Sequence, residues 1–387
     1  MMNEGVGEDN AIIGRNAAEA DVPPVVLAAL DPSDPVGHPP RLTQLDGMRA
    51  IAIAMVIAQH SGMLSIGWAG VHLFFVLSGF LITGILRRAR KDTHFWSPFY
   101  LKRVTRILPP LIPFFLLCSM EMSIPWRTTG WAYGLFGANI VQSLPHASIT
   151  DLTILWSLAV EEHFYLLWPF AIRYLRRTTL IWLLVAVLVL DPILRAVATH
   201  HVASWMPIYF LTPFQLDGLG AGALLSILVE DGAWKQRLGG IALPAALACG
   251  VVFAACSRLS GFERGANSQL FNSLGYSLIV MASVLLLAHL FLRPDSYVSR
   301  LFSLWPMVFL GTISYGLYLY IGPVTHITQH ILVAHGMTRG RINLLLGLIA
   351  SITVSWVSFR FYESPITSLG RLQAKALAGV PKRLSTA

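Results

Sequence analysis

An arginine and a histidine bracket the apolar run within the stretch LDGMRAIAIAMVIAQHSG near the start of the chain. Arg49 and His60 stand eleven residues apart. Eleven steps of 100° bring both to one face of a helix, about 16 Å apart along its axis. Each alone has an ordinary explanation, since arginine anchors helix ends at the membrane surface and histidine hydrogen-bonds between helices. Because they share one stripe, the pair favours a functional site with an imidazole available as base or nucleophile.

A second candidate pair lies in FYLKRVTRILPP. Arg103 and Arg106 are about one helical turn apart, directly before a proline-rich apolar segment. Two guanidiniums on one face suit a phosphate or pyrophosphate, because arginine offers paired donors. The alternative is ordinary positive charge in a loop, and this spacing is too common to decide between the two.

The segment LWSLAVEEHFYLLWPF carries Glu161, Glu162 and His163 among apolar and aromatic residues. We expect Glu161 to lie at a depth comparable to that of His60. A carboxylate there needs a partner or stays protonated, and His60 or a cation could serve. The alternative is a buried ion pair that stabilises the bundle.

Three further residues are candidate ligands of a substrate. Asp217 lies near the middle of an apolar span and precedes the small-residue run GLGAG, which also suits close helix packing. Tyr315 and His72 lie in two other spans, and both also fit the interfacial positions that such residues commonly take. No histidine or glutamate shows a metal-ligand spacing such as HExxH, so we expect no metal.

Composition sets the elements that must position these groups. Of the 387 residues, 55% are hydrophobic and 12% charged, where soluble domains carry about 25% charged residues. This predicts an all-α, polytopic membrane helix bundle in a lipid bilayer. The net charge of +8 is typical of basic loops, and no nucleic-acid motif accompanies it.

At about 20 residues per crossing, the chain contains ten candidate spans. They lie at about 48–65, 67–86, 107–124, 154–173, 179–195, 207–229, 239–256, 271–292, 304–324 and 343–362. The first, third and fourth are the weakest, because each contains charge or proline. The loop 125–153 is the longest and includes Trp126, Trp131, Tyr133 and His146.

Every second loop is basic, and about 22 of the 28 lysines and arginines fall on one face. The positive-inside rule makes that face cytoplasmic, with both termini inside. The polar residues 1–40 are expected to form a disordered cytoplasmic tail. Residues 41–366 form the predicted membrane domain, and 367–387 a basic cytoplasmic tail.

Seven blocks occur in an ordered series: RLTQLDGMRAIAIAMVIAQH, GVHLFFVLSGFLI, FYLKRVTRILPP, WSLAVEEHFYLLWP, FQLDGLGAGALL, ISYGLYL and RFYESP. In this order the chain resembles the acyltransferase 3 family of bacterial integral-membrane O-acyltransferases, over about residues 41–366. The resemblance implies about ten helices in the bacterial inner membrane, acyl-CoA as donor, no metal, and a hydroxyl acceptor that is most often on a sugar.

The resemblance carries over residue by residue. The matching positions are Arg49 and His60, Arg103 and Arg106, Glu161, Asp217, and Glu363 with Pro365. The chain also departs from the family. Ile321 and Gly322 stand where many members have histidine and tryptophan, Gln215 replaces an arginine, and His72 replaces an aspartate. These departures concern the acceptor site rather than the reaction class.

Our hypothesis assigns His60, Glu161 and Arg49 to catalysis. Arg103 and Arg106 would bind the phosphates of acyl-CoA, whose arm would follow the Arg49–His60 stripe. His60 would act as base or as transient acyl carrier, with Glu161 orienting it.

Asp217, Tyr315 and His72 would bind the acceptor, which would enter from the outer side. The expected acceptor is a surface polysaccharide or glycolipid, to which acetyl is the group most expected to be transferred. The alternatives are a small glycosylated metabolite or antibiotic as acceptor, and a transporter or flippase, in which buried charges line a substrate path.

Overall fold

The computed structural model describes residues 42–121, 130–144, 150–337 and 340–378. The predicted tail 1–40, the end of the predicted tail 367–387, and Trp126 and His146 of the long loop lie outside these residues.

Helices account for most of the described chain, and these residues contain no β-strand. The eleven longest are α1 Thr43–His60, α2 Ala69–Ala89, α3 Trp96–Glu121, α4 Leu155–Tyr174, α5 Arg177–Ala198, α6 Leu216–Leu228, α7 Gly232–Cys256, α8 Tyr276–Leu292, α9 Trp305–Ala334, α10 Arg341–Ser358 and α11 Ser364–Leu377. One π turn, Phe271–Gly275, leads into α8, and another, Phe359–Glu363, joins α10 to α11. The predicted all-α class is confirmed.

Each of the ten predicted spans coincides with a helix, but only seven described helices are long and apolar enough to cross a membrane by themselves. The other three are α1, α4 and α6. Ionisable residues lower the hydropathy of α1 and α4, as expected for the first and fourth spans. Helix α6 has 13 residues, about 20 Å, which is shorter than the hydrocarbon core. The third span was also expected to be weak, but its helix α3 is long and apolar enough to cross a membrane.

Helix α3 begins eleven residues before the predicted third span, so Arg103 and Arg106 lie in a helix rather than in a loop. Pro109, Pro110 and Pro113 lie inside this helix, and each lacks the N–H that would bond the carbonyl four residues earlier. One carbonyl left unpaired in this way, that of Thr105, accepts a hydrogen bond from the Thr367 hydroxyl at 3.2 Å.

Glycines allow the closest helix contacts. A Cβ on Gly222 of α6 would overlap the Val76 carbonyl of α2, and a Cβ on Gly79 of α2 would overlap the Leu219 carbonyl of α6. Helices α1 and α9 meet in the same way, where Gly311 faces the backbone of Asp46. The GLGAG run therefore packs against neighbouring helices.

Five helices, α1, α2, α3, α4 and α9, form the group that positions the candidate residues. Helices α1 and α9 run parallel, since Asp46 meets Gly311 and Ile53 packs with Leu317 and Ile321. We call the end of this group where α1 ends the His60 end. Helix α4 runs antiparallel to α9.

Candidate active site

Three arginines of α1 and α3 lie close together, and we call Arg49, Arg103 and Arg106 the arginine cluster. The charges acting on the Arg106 guanidinium include those of Arg103, Arg49 and Asp46. Arg49 donates to the Asp46 carboxylate at 2.7 Å, one turn earlier on α1. Arg103 and Arg106 form no ion pair with any other described residue, and the Arg106 side chain is exposed. The cluster therefore offers two guanidiniums that no described carboxylate binds directly.

The Glu161 carboxylate lies beside this cluster, within a hydrogen-bonded chain. The Tyr165 hydroxyl, one turn later on α4, donates to Glu161 Oε2 at 3.1 Å. The same hydroxyl is also hydrogen-bonded to Ser78 Oγ of α2. The Arg103 guanidinium lies over the Tyr165 ring, 5.6 Å from its centroid, a favourable cation–π distance. Three helices thus hold Glu161 and Arg103 in place around one tyrosine.

Glu162 and Tyr315 complete the same region. Glu162 Oε1 is buried without a hydrogen-bond partner in the described part of the chain. The Tyr315 hydroxyl donates to the Ile107 carbonyl of α3 at 3.1 Å, and the charges of Glu162 and Glu161 act on it. A buried acceptor without a partner calls for an explanation, and a ligand bound beside the arginine cluster would supply one.

His60 lies away from the arginine cluster. It is the last residue of α1 and is exposed. Its Nδ1 is 2.8 Å from the Val56 carbonyl oxygen, which can only accept. Nδ1 therefore carries the proton in the neutral ring, and Nε2 holds the lone pair of a base or nucleophile.

The predicted pairing of Glu161 with His60 is not formed between these two described residues. The Tyr318 hydroxyl of α9 is 2.8 Å from Ser157 Oγ of α4. Glu161 lies one turn further from the His60 end, at the level of Arg49 on α1. Since eleven residues separate Arg49 from His60, Glu161 lies about 16 Å below His60 along the helix axis.

Asp217 belongs to a different, fully buried network. The Arg195 guanidinium donates to Asp217 Oδ2 at 2.6 Å and lies 3.6 Å from Asp191 Oδ2. It also donates to the carbonyls of Phe214 and Asn272, both at 2.8 Å. Asp217 Oδ1 accepts from the Gly218 amide. Both oxygens of Asp217 are engaged in the fold, and this geometry gives no support to the acceptor-binding role predicted for it.

His72 is buried rather than interfacial, with 1% of its surface exposed. Its ring stacks on Tyr276 and meets Trp68 and Phe75 edge-on. Of the residues predicted to bind or react, the structure brings together Arg49, Arg103, Arg106, Glu161 and Tyr315, and it places His60, Asp217 and His72 elsewhere.

Several partners were missed in the sequence although it contained a signal for them. Asp46 stands three residues before Arg49, and Tyr165 stands four after Glu161, so each pair shares a helix face. Asp191 and Arg195 show the same spacing within an apolar span. The contribution of Ser78 has no such signal, since it depends on how α2 packs on α4.

The seven described helices that are long and apolar enough to cross a membrane make this a multi-pass membrane protein, with an arginine cluster near a half-buried carboxylate and a separate imidazole. The comparison with known families identifies its family. The family model described as "Acyltransferase domain" (acyltransferase 3) matches residues 42–360. The chain belongs to this family.

Two curated relatives show the range of similarity. The chain is 28% identical over 377 residues to the O-acetyltransferase OatA of Staphylococcus aureus, which covers 90% of this chain and 60% of that protein. It is 29% identical over 361 residues to the peptidoglycan O-acetyltransferase OatA of Listeria monocytogenes, with 84% and 56% covered. The chain thus spans less than two thirds of these relatives. No solved structure matches it.

Proposed function

We propose that this protein is a membrane O-acyltransferase that moves an acyl group, acetyl in the first instance, from acyl-CoA to a hydroxyl of a carbohydrate-containing acceptor. The observation that carries the proposal is the arginine cluster. Within a bundle of the acyltransferase family, two guanidiniums that form no direct ion pair with a described residue lie near the Glu161 carboxylate.

The donor site is assigned to Arg103 and Arg106, which fit the phosphates of CoA. Phosphate groups are bound best by arginine forks, and neither of these two side chains forms a direct ion pair with a described residue. Arg49 is already paired with Asp46. It therefore contributes a positive charge in a fixed position rather than a guanidinium free to bind phosphate with two hydrogen bonds. Bound acyl-CoA supplies the activated thioester.

The path to the reacting end follows α1. From the level of Arg49 to His60 the helix rises about 16 Å, a length that the pantetheine arm of CoA can bridge. His60 is suited to meet the acyl group because Nε2 holds a lone pair while Nδ1 is fixed on the Val56 carbonyl. Both roles proposed for it, base and acyl carrier, use that nitrogen.

Glu161 receives a role different from the one its sequence position indicates. Through Tyr165 it fixes the ring under the Arg103 guanidinium. We therefore assign Glu161 to positioning the donor-binding arginine and offsetting its charge. Tyr315, on the opposite wall, anchors α9 to α3 through the Ile107 carbonyl.

The acceptor is proposed from the relatives. Both are named O-acetyltransferases, and the Listeria protein is named for peptidoglycan. We propose a glycan acceptor of this kind, acetylated at the His60 end. The proposal includes placement in the bacterial inner membrane, with the arginine cluster facing the cytoplasmic pool of CoA and both termini on that side.

A reconstitution experiment tests the proposal. The purified protein in lipid nanodiscs is incubated with acetyl-CoA labelled in the acetyl group and with soluble peptidoglycan fragments. We expect label on the glycan as an alkali-labile ester, with a mass gain of one acetyl group. In sealed vesicles, glycan uptake without any acyl donor, and no ester with it, would instead indicate a transporter.

A further inference from the structure

A histidine–aspartate pair lies at the His60 end and takes no part in the site above. His326 Nδ1 of α9 is 3.0 Å from Asp151 Oδ2. The two residues are 175 positions apart in the chain. The Asp151 side chain is only 10% exposed, whereas that of His326 is 54% exposed. A buried carboxylate thus holds one edge of a ring whose surface is largely accessible.

The fold is built to bring this carboxylate to α9. Asp151 begins the short 3-10 helix Asp151–Ile154, which is fixed by a capping box between Thr150 and Thr153. It approaches α9 at Gly322, where a Cβ would lie 2.5 Å from Asp151 Oδ1. Any larger residue at this position would displace the carboxylate. Gly322 is one of the departures from the family pattern and is next to another, Ile321.

The pair lies on the stripe that leads from the arginine cluster to the His60 end. Tyr315, Tyr318, Gly322 and His326 follow one another at intervals of three or four residues, so they share one face of α9. Helices α1 and α9 are parallel and meet at Asp46 and Gly311. His60 is fourteen residues after Asp46 on α1, so it lies level with the residue fourteen after Gly311 on α9, which is residue 325. The two imidazoles of His60 and His326 therefore occupy the same level of the five-helix group.

We propose that His326, oriented by Asp151, is the group that takes the proton from the acceptor hydroxyl, while His60 carries the acyl group. The inference rests on the proposed function. The Asp151 carboxylate accepts the Nδ1 hydrogen of His326, so the neutral ring presents the Nε2 lone pair. The carboxylate also stabilises the imidazolium that forms when the proton is taken.

The bonds balance in two steps. First, His60 Nε2 bonds to the acyl carbon of the thioester, the carbon–sulfur bond breaks, and the sulfur leaves as thiolate. Then the acceptor oxygen gives its proton to His326 Nε2 and bonds to the acyl carbon, the carbon–nitrogen bond to His60 breaks, and His326 releases the proton to water. His60 thus serves the first step, which releases CoA, and His326 serves the second step, which transfers the acyl group to the acceptor.

The test separates the two halves with variants of full-length protein in nanodiscs. His326→Gln and Asp151→Asn are compared with wild type for single-turnover release of CoA and for transfer of labelled acetyl to peptidoglycan fragments. His330→Gln is the matched control. His330 lies one turn further on the same helix face, is 63% exposed, and is 3.4 Å from Glu121.

We expect His326→Gln to lower transfer by about 100-fold or more, the usual contribution of a general base, with CoA release unchanged. Asp151→Asn should lower the same step, and His330→Gln should change neither. Unchanged transfer in His326→Gln, or equal loss of CoA release and transfer in a correctly assembled variant, would overturn the inference. If wild-type protein transfers no acetyl, the proposed function itself fails.

Discussion

Replacing Arg195 by methionine should be among the most destabilising single changes in this protein. The guanidinium is fully buried and contacts two carboxylates, Asp217 at 2.6 Å and Asp191 at 3.6 Å. Both carboxylates are almost completely shielded, with at most 4% of their side chains exposed. Removing one partner of a buried ion pair costs about 3–5 kcal/mol, because the other charge is left uncompensated.

That cost corresponds to a rise of roughly two to four powers of ten in the unfolding equilibrium constant. The matched control is Arg87→Met. Arg87 pairs with Glu230 at 2.5 Å at a partly exposed site, with 15% and 27% of the two side chains accessible. Pairs that water reaches contribute about 0–1 kcal/mol.

The assay is reversible unfolding of each variant in the same detergent, followed by tryptophan fluorescence. The account requires Arg195→Met to lose several times more stability than Arg87→Met. Equal losses would refute the reasoning that Arg195 belongs to a buried ion pair that water does not reach. Partial recovery in Arg195→Met with Asp217→Asn would support it further.

Three other changes follow from the contacts. Gly222→Val should lower the yield of monodisperse protein, because its side chain would overlap the Val76 carbonyl, whereas Gly240→Val, with open space around it, should not. Tyr165→Phe removes the hydroxyl that reaches Glu161 and should lower the acyl-transfer rate about tenfold, in line with loss of one hydrogen bond to a charged group, with retained rate contradicting the role. Arg106→Gln should raise the KM for acyl-CoA more than that for the glycan, and the opposite pattern would move the donor site elsewhere.

Much of the fold follows from apolar patterning, since every predicted span coincides with a helix. The boundary of one helix was wrong: α3 begins eleven residues before the predicted third span, and this difference has a physical cause. The predicted third span begins after Arg103 and Arg106, and loop charge is one interpretation of this pair, yet long arginine side chains can remain in a helix and extend toward polar surroundings. Helix α6 is short because a separate 3-10 helix that contains Pro213, Thr212–Phe214, precedes it.

The arginine cluster was predictable in part, because Arg49, Arg103 and Arg106 had been singled out by type and spacing. The proposed partnership of Glu161 with His60 failed on register, which a single sequence does not reveal. One helical turn along α4 decides whether Glu161 meets α1 near His60 or near Arg49. The Asp151–His326 contact was beyond reach for the same reason, since it joins residues 175 positions apart and depends on the close approach of Asp151 to Gly322.

The most direct test of the account is acetyl transfer by His60→Ala, measured beside wild-type protein with labelled acetyl-CoA and peptidoglycan fragments in nanodiscs. His60 terminates α1 and its side chain is exposed, so the alanine variant should assemble normally and bind CoA as wild type does. We predict that it forms no glycan ester. Wild-type levels of ester in the assembled His60→Ala protein would contradict the central claim.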